Sequence, residues 1–358
     1  MMRLRKTLAA LAVVCLLIGL TAGAPAGVQD KDKKAKKDKA DKADKADKPD
    51  KKAKKNKDDA DQTPPVSDRE LRNVLWTEPT HIESLDLFNG PGGAEGAPDP
   101  QGKFTFEKRS TSGTSEKIQV ADDKGRKWTV KFGPEARPET AASRIVWAVG
   151  YHVDQDYFVK RTHIEGRGGF DVWDVRFERR DDGYKEDGLW SWHSNPFLGT
   201  RELQGLKVLM VLLNNWDLKE SNNKIARANK KSGGDRDARV YYIADLGGTL
   251  GSTGSFFTKL PFFGNAPAGS KGEPDAFAGQ AFIEGVRSGQ VVFHYKGKDP
   301  KALEGVTVEN ARWMGDLLGR LSDKQLADAY RAGGFTDAEI MTYVKATRAR
   351  IDQLRNLK

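Results

Sequence analysis

Short runs of alternating hydrophobic and polar residues lie between positions 104 and 180 and predict β-strands. The first run begins at Phe104. The next two runs, around Ile118 and over residues 127–132, flank the turn sequence Asp-Asp-Lys-Gly, which favours an antiparallel hairpin. Two further strands are predicted over residues 156–165 and 171–180.

Apolar residues spaced three and four apart predict helices between and after these strands. One helix opens at Pro138 and Glu139, which suit a first turn, and ends at Gly150. Leu203, Leu206, Met210 and Leu213 recur at helical spacing, and residues 208–213 are apolar on every side, which indicates a helix buried in a core. The last third of the chain is helical as well, with a helix over 307–320 and capping boxes at Ser322-x-x-Gln325 and Thr336-x-x-Glu339.

Polar and glycine-rich stretches separate these elements. The prediction is a short helix over 67–76, a loop over 89–102, a hairpin formed by 224–228 and 239–244, and a long loop over 246–274. Long loops in compact domains are usually functional. A sheet with one intervening helix, followed by a helical half, predicts an α+β fold with two lobes. We place an N-terminal extension at 64–103, the β-sheet lobe at 104–185 and the mainly helical lobe at 186–358.

The first 63 residues follow a different pattern. A basic start, an apolar run over 8–20 and the small residues Ala24-Pro25-Ala26 predict that residues 1–26 are a secretory signal peptide. An uncleaved membrane anchor is the alternative. Residues 27–63 are almost entirely Lys, Asp and Ala and offer no apolar surface to bury, which predicts a disordered tether. Contact of this tether with an envelope or another anionic surface is an open alternative. The sequence therefore predicts a secreted, periplasmic or cell-envelope protein.

Charge and cysteine content narrow the choice of function. The formal net charge is +9, of which three charges fall in the first 26 residues and four in residues 30–61, leaving +2 for the remainder. A nearly neutral domain does not favour electrostatic binding of nucleic acid. The one cysteine, Cys15, lies in the predicted signal peptide, so the mature chain is left without thiol chemistry.

Residue types that suit phosphoryl transfer follow the predicted buried helix. The segment Asp217-Leu218-Lys219-Glu220-Ser221-Asn222 places three of them in one tight loop. An Asp can orient or deprotonate an acceptor hydroxyl, a Lys can neutralise a moving phosphoryl group, and an Asn can hold a magnesium ion. Asp245 ends an apolar strand before Leu246-Gly247, where it can bridge magnesium to nucleotide phosphates. Lys131 ends a hairpin strand, from which it can reach such phosphates.

The order of strand lysine, helix, D-x-K-x-x-N and D-x-G over residues 104–355 resembles the protein-kinase superfamily, and most closely its atypical HipA-type, CotH-type and secretory-pathway branches. The resemblance implies a two-lobed protein-kinase-like fold and a phosphotransferase that uses ATP and Mg²⁺ on a hydroxyl of an unknown protein, lipid or small molecule. It implies that Asp217 and Lys219 are catalytic and that Asn222 and Asp245 hold the metal. The implied cofactor-binding residues are Lys131, its partner carboxylate Glu139, and Ser112, Gly113 and Thr114 of a phosphate-covering loop.

Some positions depart from the family pattern. Asn215-Trp216 precedes Asp217 in place of His-Arg, no G-x-G-x-x-G is present, and Glu139 follows Lys131 by only eight residues. A pseudokinase that serves as a binding or scaffold module, and nucleotidyl transfer by the same fold, therefore stay open. An exported kinase would also need a source of ATP or a different donor. Both metal-binding positions are retained, which favours an enzyme.

Overall fold

The computed structural model describes residues 71–110, 115–180, 183–229, 235–254 and 269–358. The predicted signal peptide, the predicted tether and the predicted phosphate-covering residues Ser112, Gly113 and Thr114 lie outside the described residues. The chain divides into the units Met1–Thr63 and Pro64–Lys358, and all elements below belong to the second unit.

Strands and helices alternate along the described residues and form a mixed α+β fold. The strands are β1 (Arg72–Val74), β2 (Phe104–Ser110), β3 (Lys117–Asp122), β4 (Lys127–Lys131), β5 (Asp156–Glu165), β6 (Phe170–Arg179), β7 (Tyr184–Leu189), β8 (Asn223–Ala228), β9 (Ala238–Ile243), β10 (Ile283–Arg287) and β11 (Gln290–Phe293). The helices are α1 (Gly93–Gly96), α2 (Ala136–Ala148), α3 (Arg201–Leu212), α4 (Pro274–Gly279), α5 (Val308–Gly319), α6 (Asp323–Ala332) and α7 (Asp337–Arg355). None of these helices is long and apolar enough to cross a membrane.

Five strands close into a barrel in the order β2-β3-β4-β6-β5 around an aromatic core. Phe177 lies at its centre, with its ring centroid 4.9 Å from that of Phe104 and 6.0 Å from that of Trp128. The predicted hairpin is β3 and β4, and its register sets Ile118 opposite Val130. Both residues are buried, so the apolar side chains of each alternating strand point into the barrel. The barrel thereby fixes Lys131 at the end of β4.

A second sheet has the strand order β1-β9-β8-β7. Residues next to its strands β8 and β9 belong to the candidate site described below. The hairpin of β8 and β9 was predicted, with ends shifted by a residue. The helix predicted over 67–76 is wrong in its described part, because β1 is a strand that pairs in parallel with β9, Val74 opposite Val240. Pairing with the free edge of β9 satisfies backbone groups that a short isolated helix would leave exposed.

Helices α2 to α7 contribute to one apolar core that also includes Tyr241 and Ile243 of β9. Helix α3 is buried along almost its whole length, as the apolar stretch over 208–213 predicted. Both predicted capping boxes are formed, one opening α6 at Ser322 and one opening α7 at Thr336. The hairpin of β10 and β11 and the short helix α4 were not predicted, and α1 lies in the stretch predicted as loop. Trp190 and Trp192 are buried against each other, with ring centroids 4.9 Å apart, and so have a packing role.

Candidate active site

The ammonium group of Lys131 lies in a buried cluster of carboxylates. Its Nζ is 2.6 Å from Glu135 Oε2, 2.9 Å from Glu139 Oε2 and 3.5 Å from Asp245 Oδ1. The side chain is only 2% exposed. Burial by itself lowers the pKa of Lys131, but the surrounding carboxylates outweigh burial and raise it. Lys131 is therefore a permanent cation at the end of β4.

Glu139 is the carboxylate that the sequence assigned to Lys131, and the first turn of α2 brings the two together. Glu135 occupies the N-cap position of this helix, and Glu139 lies four residues later. Both carboxylates therefore lie on the same face of α2, where they contact Lys131 at the end of β4. Glu139 Oε1 also lies 2.7 Å from Nη1 of Arg176 on β6. Burial raises the pKa of Glu139, and the cations of Arg176 and Lys131 oppose this effect.

A chain of buried charges holds Glu139 in place from behind. Arg176 Nη1 lies 3.6 Å from Asp156 Oδ2, and Asp156 Oδ1 lies 2.9 Å from Arg144 Nη1 on α2. Arg144 and Asp156 are each 1% exposed. Because buried charges are stable only when they are paired, this chain restrains α2 against β5 and β6. The orientation of Glu139 is thus set by the barrel itself.

Asp217 lies in the loop after α3, between two lysines. Its Oδ2 is 2.7 Å from Lys219 Nζ, and its Oδ1 is 2.7 Å from Lys298 Nζ. Partial burial raises the pKa of Asp217, but the hydrogen bonds from both ammonium groups outweigh burial and hold that pKa below its usual value. Asp217 is therefore an anion that can accept a hydrogen bond from a hydroxyl group.

Asn222 closes the same loop and lies next to Asp245. Its Nδ2 donates to the backbone oxygen of Asp217 at 2.9 Å. The backbone oxygen of Asn222 accepts from the nitrogen of Ala244 at 2.8 Å, so the start of β8 and the end of β9 are adjacent. The carboxylate of Asp245 is 33% exposed, and its Oδ1 accepts from the nitrogen of Gly247 at 3.1 Å.

These oxygen donors fit a magnesium ion. Carboxylate oxygens of Glu135, Glu139 and Asp245 all lie within 4.8 Å of one another. The ammonium of Lys131 lies among these oxygens and neutralises the buried Glu139. Glu135 and Glu139 therefore act as ion-pair partners of Lys131 before they act as metal ligands. Asp245 and Asn222 carry carboxylate and amide oxygens, which are the hard ligands that magnesium prefers, and could hold such an ion.

Two adjacent glycines join the Lys131 cluster to the Asp217 loop. A Cβ atom at Gly247 would lie 2.8 Å from Cβ of Glu135, and one at Gly248 would lie 3.1 Å from Cβ of Asp217. The backbone of this segment therefore passes between the two groups with no room for side chains. The nitrogen of Trp216 donates to the backbone oxygen of Gly248 at 3.0 Å, which fixes the loop to the segment.

A cleft of about 400 Å³ opens beside Lys131 between the barrel and the second sheet. Thr129 lines it from the same face of β4 as Lys131, two residues earlier, and Lys117 lines it from the position on β3 opposite Lys131. The remaining lining residues are mostly polar: Ser110, Gln119, Asp154, Glu178, Arg179, Arg180, Tyr184, Lys185, Glu186, Ala226 and Tyr242. The cleft thus reaches strand positions near Lys131, although Lys131 itself does not line it.

The structure adds residues that sequence reasoning missed: Glu135, Lys271 and Lys298. Glu135 had a usable signal, since it lies four residues from both Lys131 and Glu139. Lys271 and Lys298 had none, because they reach the site from segments far away along the chain. Ser115, the first described residue after the predicted phosphate-covering loop, donates from Oγ to Glu135 Oε2 at 3.0 Å.

No protein-family model matches this chain, and no curated protein matches it. Solved structures that are similar to it include two kinases. The proinflammatory kinase CtkA of Helicobacter pylori is 12% identical, with 72% of this chain and 94% of that chain covered and a TM-score of 0.38. The Rio2 kinase of Chaetomium thermophilum, in an ADP/Mg²⁺-phosphoaspartate complex, is 13% identical, with 70% and 72% covered and a TM-score of 0.30. Similarity at this level is too low to assign a fold or a function.

Proposed function

We propose that this chain is a phosphotransferase with a two-lobed, protein-kinase-like fold that uses ATP and magnesium to phosphorylate a hydroxyl group. One observation carries the proposal. The segment 245–248 touches Glu135 on one side and Asp217 on the other, which supports a site that combines the buried Lys131, the candidate metal ligand Asp245 and the anionic Asp217. Phosphoryl transfer needs a cation and a metal ion at the nucleotide phosphates and an anionic group at the acceptor hydroxyl.

Each residue has a defined part in the proposed reaction. The acceptor oxygen attacks the γ-phosphorus, the bond to the β,γ-bridging oxygen breaks, and ADP leaves. Asp217 orients the acceptor hydroxyl and takes its proton, and Lys219 neutralises the charge of the moving phosphoryl group. Lys131 holds the nucleotide phosphates, with its ammonium oriented by Glu139. A magnesium ion held by Asn222 and Asp245 would neutralise charge on the phosphates. The cleft beside Thr129 is the proposed nucleotide pocket.

Binding and transfer measured on the same variants test the proposal. Calorimetric titration should show ADP binding that requires magnesium and that Asp245→Asn weakens. Asp217→Asn should bind ADP about as well as the wild type while transfer falls by a factor of ~10²–10⁴, because the group acts on the acceptor. Asp174→Asn is the matched control, since Asp174 is paired with a lysine, Lys160, on the exposed side of the barrel.

The outcomes separate the candidate functions. Magnesium-independent binding, or Asp217→Asn with normal transfer, would reject the assigned site. A wild type that binds ADP but transfers phosphate to neither itself nor protein, lipid or small-molecule acceptors would be a binding module. Transfer of labelled AMP from α-labelled ATP would identify nucleotidyl transfer instead.

Export is part of the same proposal. The basic, apolar and small-residue pattern of residues 1–26 supports cleavage by signal peptidase and release of the domain beyond the cytoplasmic membrane. The intact mass of the protein recovered from the envelope or medium should lack these residues. A mass that includes Met1 would favour an uncleaved anchor.

A further inference from the structure

The carboxylate of Glu135 is surrounded by groups that bind anions. Lys131 Nζ lies 2.6 Å from its Oε2, and Ser115 Oγ donates to the same oxygen at 3.0 Å. Lys271 Nζ makes a short ion pair with the other oxygen. Partial burial raises the pKa of Glu135, but the two lysines outweigh burial and lower it to about 2. The carboxylate is therefore charged at neutral pH.

Lys271 is held in place by backbone contacts that do not involve Glu135. The nitrogens of its neighbours Gly272 and Glu273 donate to the backbone oxygens of Thr249 and Leu250 at 3.0 and 2.8 Å. Its Nζ lies 5.4 Å from the ring centroid of Trp216, the residue before Asp217. The ammonium thus contacts both Glu135 of the Lys131 cluster and Trp216 of the Asp217 loop.

Glu135 and Glu139 contact the same ammonium but are anchored differently. Glu139 is completely enclosed and also bound by Arg176 of the barrel. Glu135 lies at the N-cap position of α2 and is 14% exposed, and its carboxylate contacts the side chains of Lys131, Lys271 and Ser115. The Glu135 side chain can rotate away without breaking the buried ion pairs of Arg176, whereas rotation of the Glu139 side chain would break one of them.

Two ammonium groups and a hydroxyl around one anion are the partners that a phosphate group requires. We propose that Lys131, Lys271 and Ser115 form a phosphate-binding site for the donor nucleotide, and that Glu135 occupies it in the nucleotide-free protein. A phosphate of the incoming nucleotide displaces the Glu135 carboxylate and takes over its three partners. This inference rests on the proposed function, and it assigns Lys271 to donor binding and Glu135 to control of access.

A double-mutant cycle on Glu135 and Lys271 tests the inference. The wild type, Glu135→Gln, Lys271→Gln and the double variant are titrated with Mg·ADP, inorganic pyrophosphate and adenosine. If the Glu135 carboxylate occupies the site in about nine molecules out of ten, the apparent affinity for a phosphate ligand is about tenfold weaker than the intrinsic affinity. Glu135→Gln should therefore bind ADP and pyrophosphate about tenfold more tightly, while adenosine, which has no phosphate, binds equally to all four proteins.

The second arm of the cycle isolates Lys271. In the Glu135→Gln background, Lys271→Gln should weaken ADP binding by about tenfold, because its partner is then the phosphate alone. No effect in that background would mean that Lys271 only anchors Glu135 and would overturn its assignment. Glu116→Gln, which removes an exposed carboxylate one residue after Ser115, is the control for a general change of charge.

The remaining outcomes are also decisive. Unchanged or weaker ADP binding by a folded Glu135→Gln protein, checked by thermal melting, would overturn the role of Glu135 and leave the proposed function intact. Equal tightening by Glu116→Gln would show a nonspecific charge effect and reject displacement. ADP binding by neither the wild type nor Glu135→Gln would overturn both proposals.

Discussion

Single buried residues set the chemistry of this molecule through their charge. An unpaired ammonium at the depth of Lys131 would cost several kcal/mol, and three carboxylates around it offset that cost. Asp217 shows the converse, since two lysines keep it an anion in a half-buried loop. The sequence identified Lys131 and Asp217 as candidate site residues, but it identified only some of their ionic partners.

His152 should make the stability of the protein depend on pH. Its ring packs between Tyr184 and Tyr242, with centroids 4.9 and 5.1 Å away, and burial lowers its pKa to about 4. Between pH 6.5 and 4 the unfolded chain binds a proton that the folded chain does not. The contribution of His152 is therefore complete above pH 6.5 and falls as the pH drops to about 4, by roughly 2–3 kcal/mol.

Urea denaturation at pH 7.5, 5.5 and 4.5 measures this effect. His152→Phe keeps the aromatic packing and should lose less stability on acidification than the wild type does. His163→Gln is the control, because His163 is exposed and paired with Asp171. Parallel pH profiles for the wild type and His152→Phe would show that His152 is not the titrating group.

At the scale of elements, local sequence signals determined most helix and strand positions. Strand β5 begins and ends at its predicted residues, and α5 begins one residue after its predicted start at Thr307. The failures occur where a tertiary contact replaces a local preference, as in β1, whose only stabilisation as a strand comes from β9. The hairpin of β10 and β11 was missed because its residues carry no strong alternation.

The capping boxes should stabilise the C-terminal helices independently of the site. Thr336→Ala removes the side chain that accepts from the nitrogen of Glu339 and should cost ~1 kcal/mol. Chemical denaturation measures this loss, and ADP binding should be unchanged. Thr342→Ala, in the middle of the same helix, is the control and should cost nothing, because Ala is the better helix former there. An equal loss in both variants would contradict a specific role for the cap.

At the scale of the whole molecule, buried ion pairs join the elements around the site. Asp156→Ala would leave Arg144 as an unpaired buried cation, since Arg144 is 1% exposed, and should cost about 3–5 kcal/mol. It should also loosen Arg176 and Glu139, and so weaken ADP binding. Thermal melting and titration of the same variant measure both effects.

An exposed pair provides the matched control. Lys160 and Asp174 are 79% and 50% exposed, so Asp174→Ala should cost about 0–1 kcal/mol. If Asp156→Ala melts like Asp174→Ala, the buried chain of charges does not hold α2 to the barrel. The predicted division into a β-sheet lobe and a helical lobe stays a prediction at this scale, with β7 crossing its boundary at residue 185.

The sequence by itself determined the mixed α+β class, most elements and the residues Lys131, Asp217, Asn222 and Asp245 as candidates, because periodicity, caps and short motifs act over a few neighbouring residues. Only the tertiary structure decided which charges meet. Lys131 lies 114 residues before Asp245, and Glu135 lies 136 residues before Lys271. A local pattern cannot encode such pairings, since they arise when the closed barrel, the second sheet and the glycine segment bury charged groups together and each charge must find a partner.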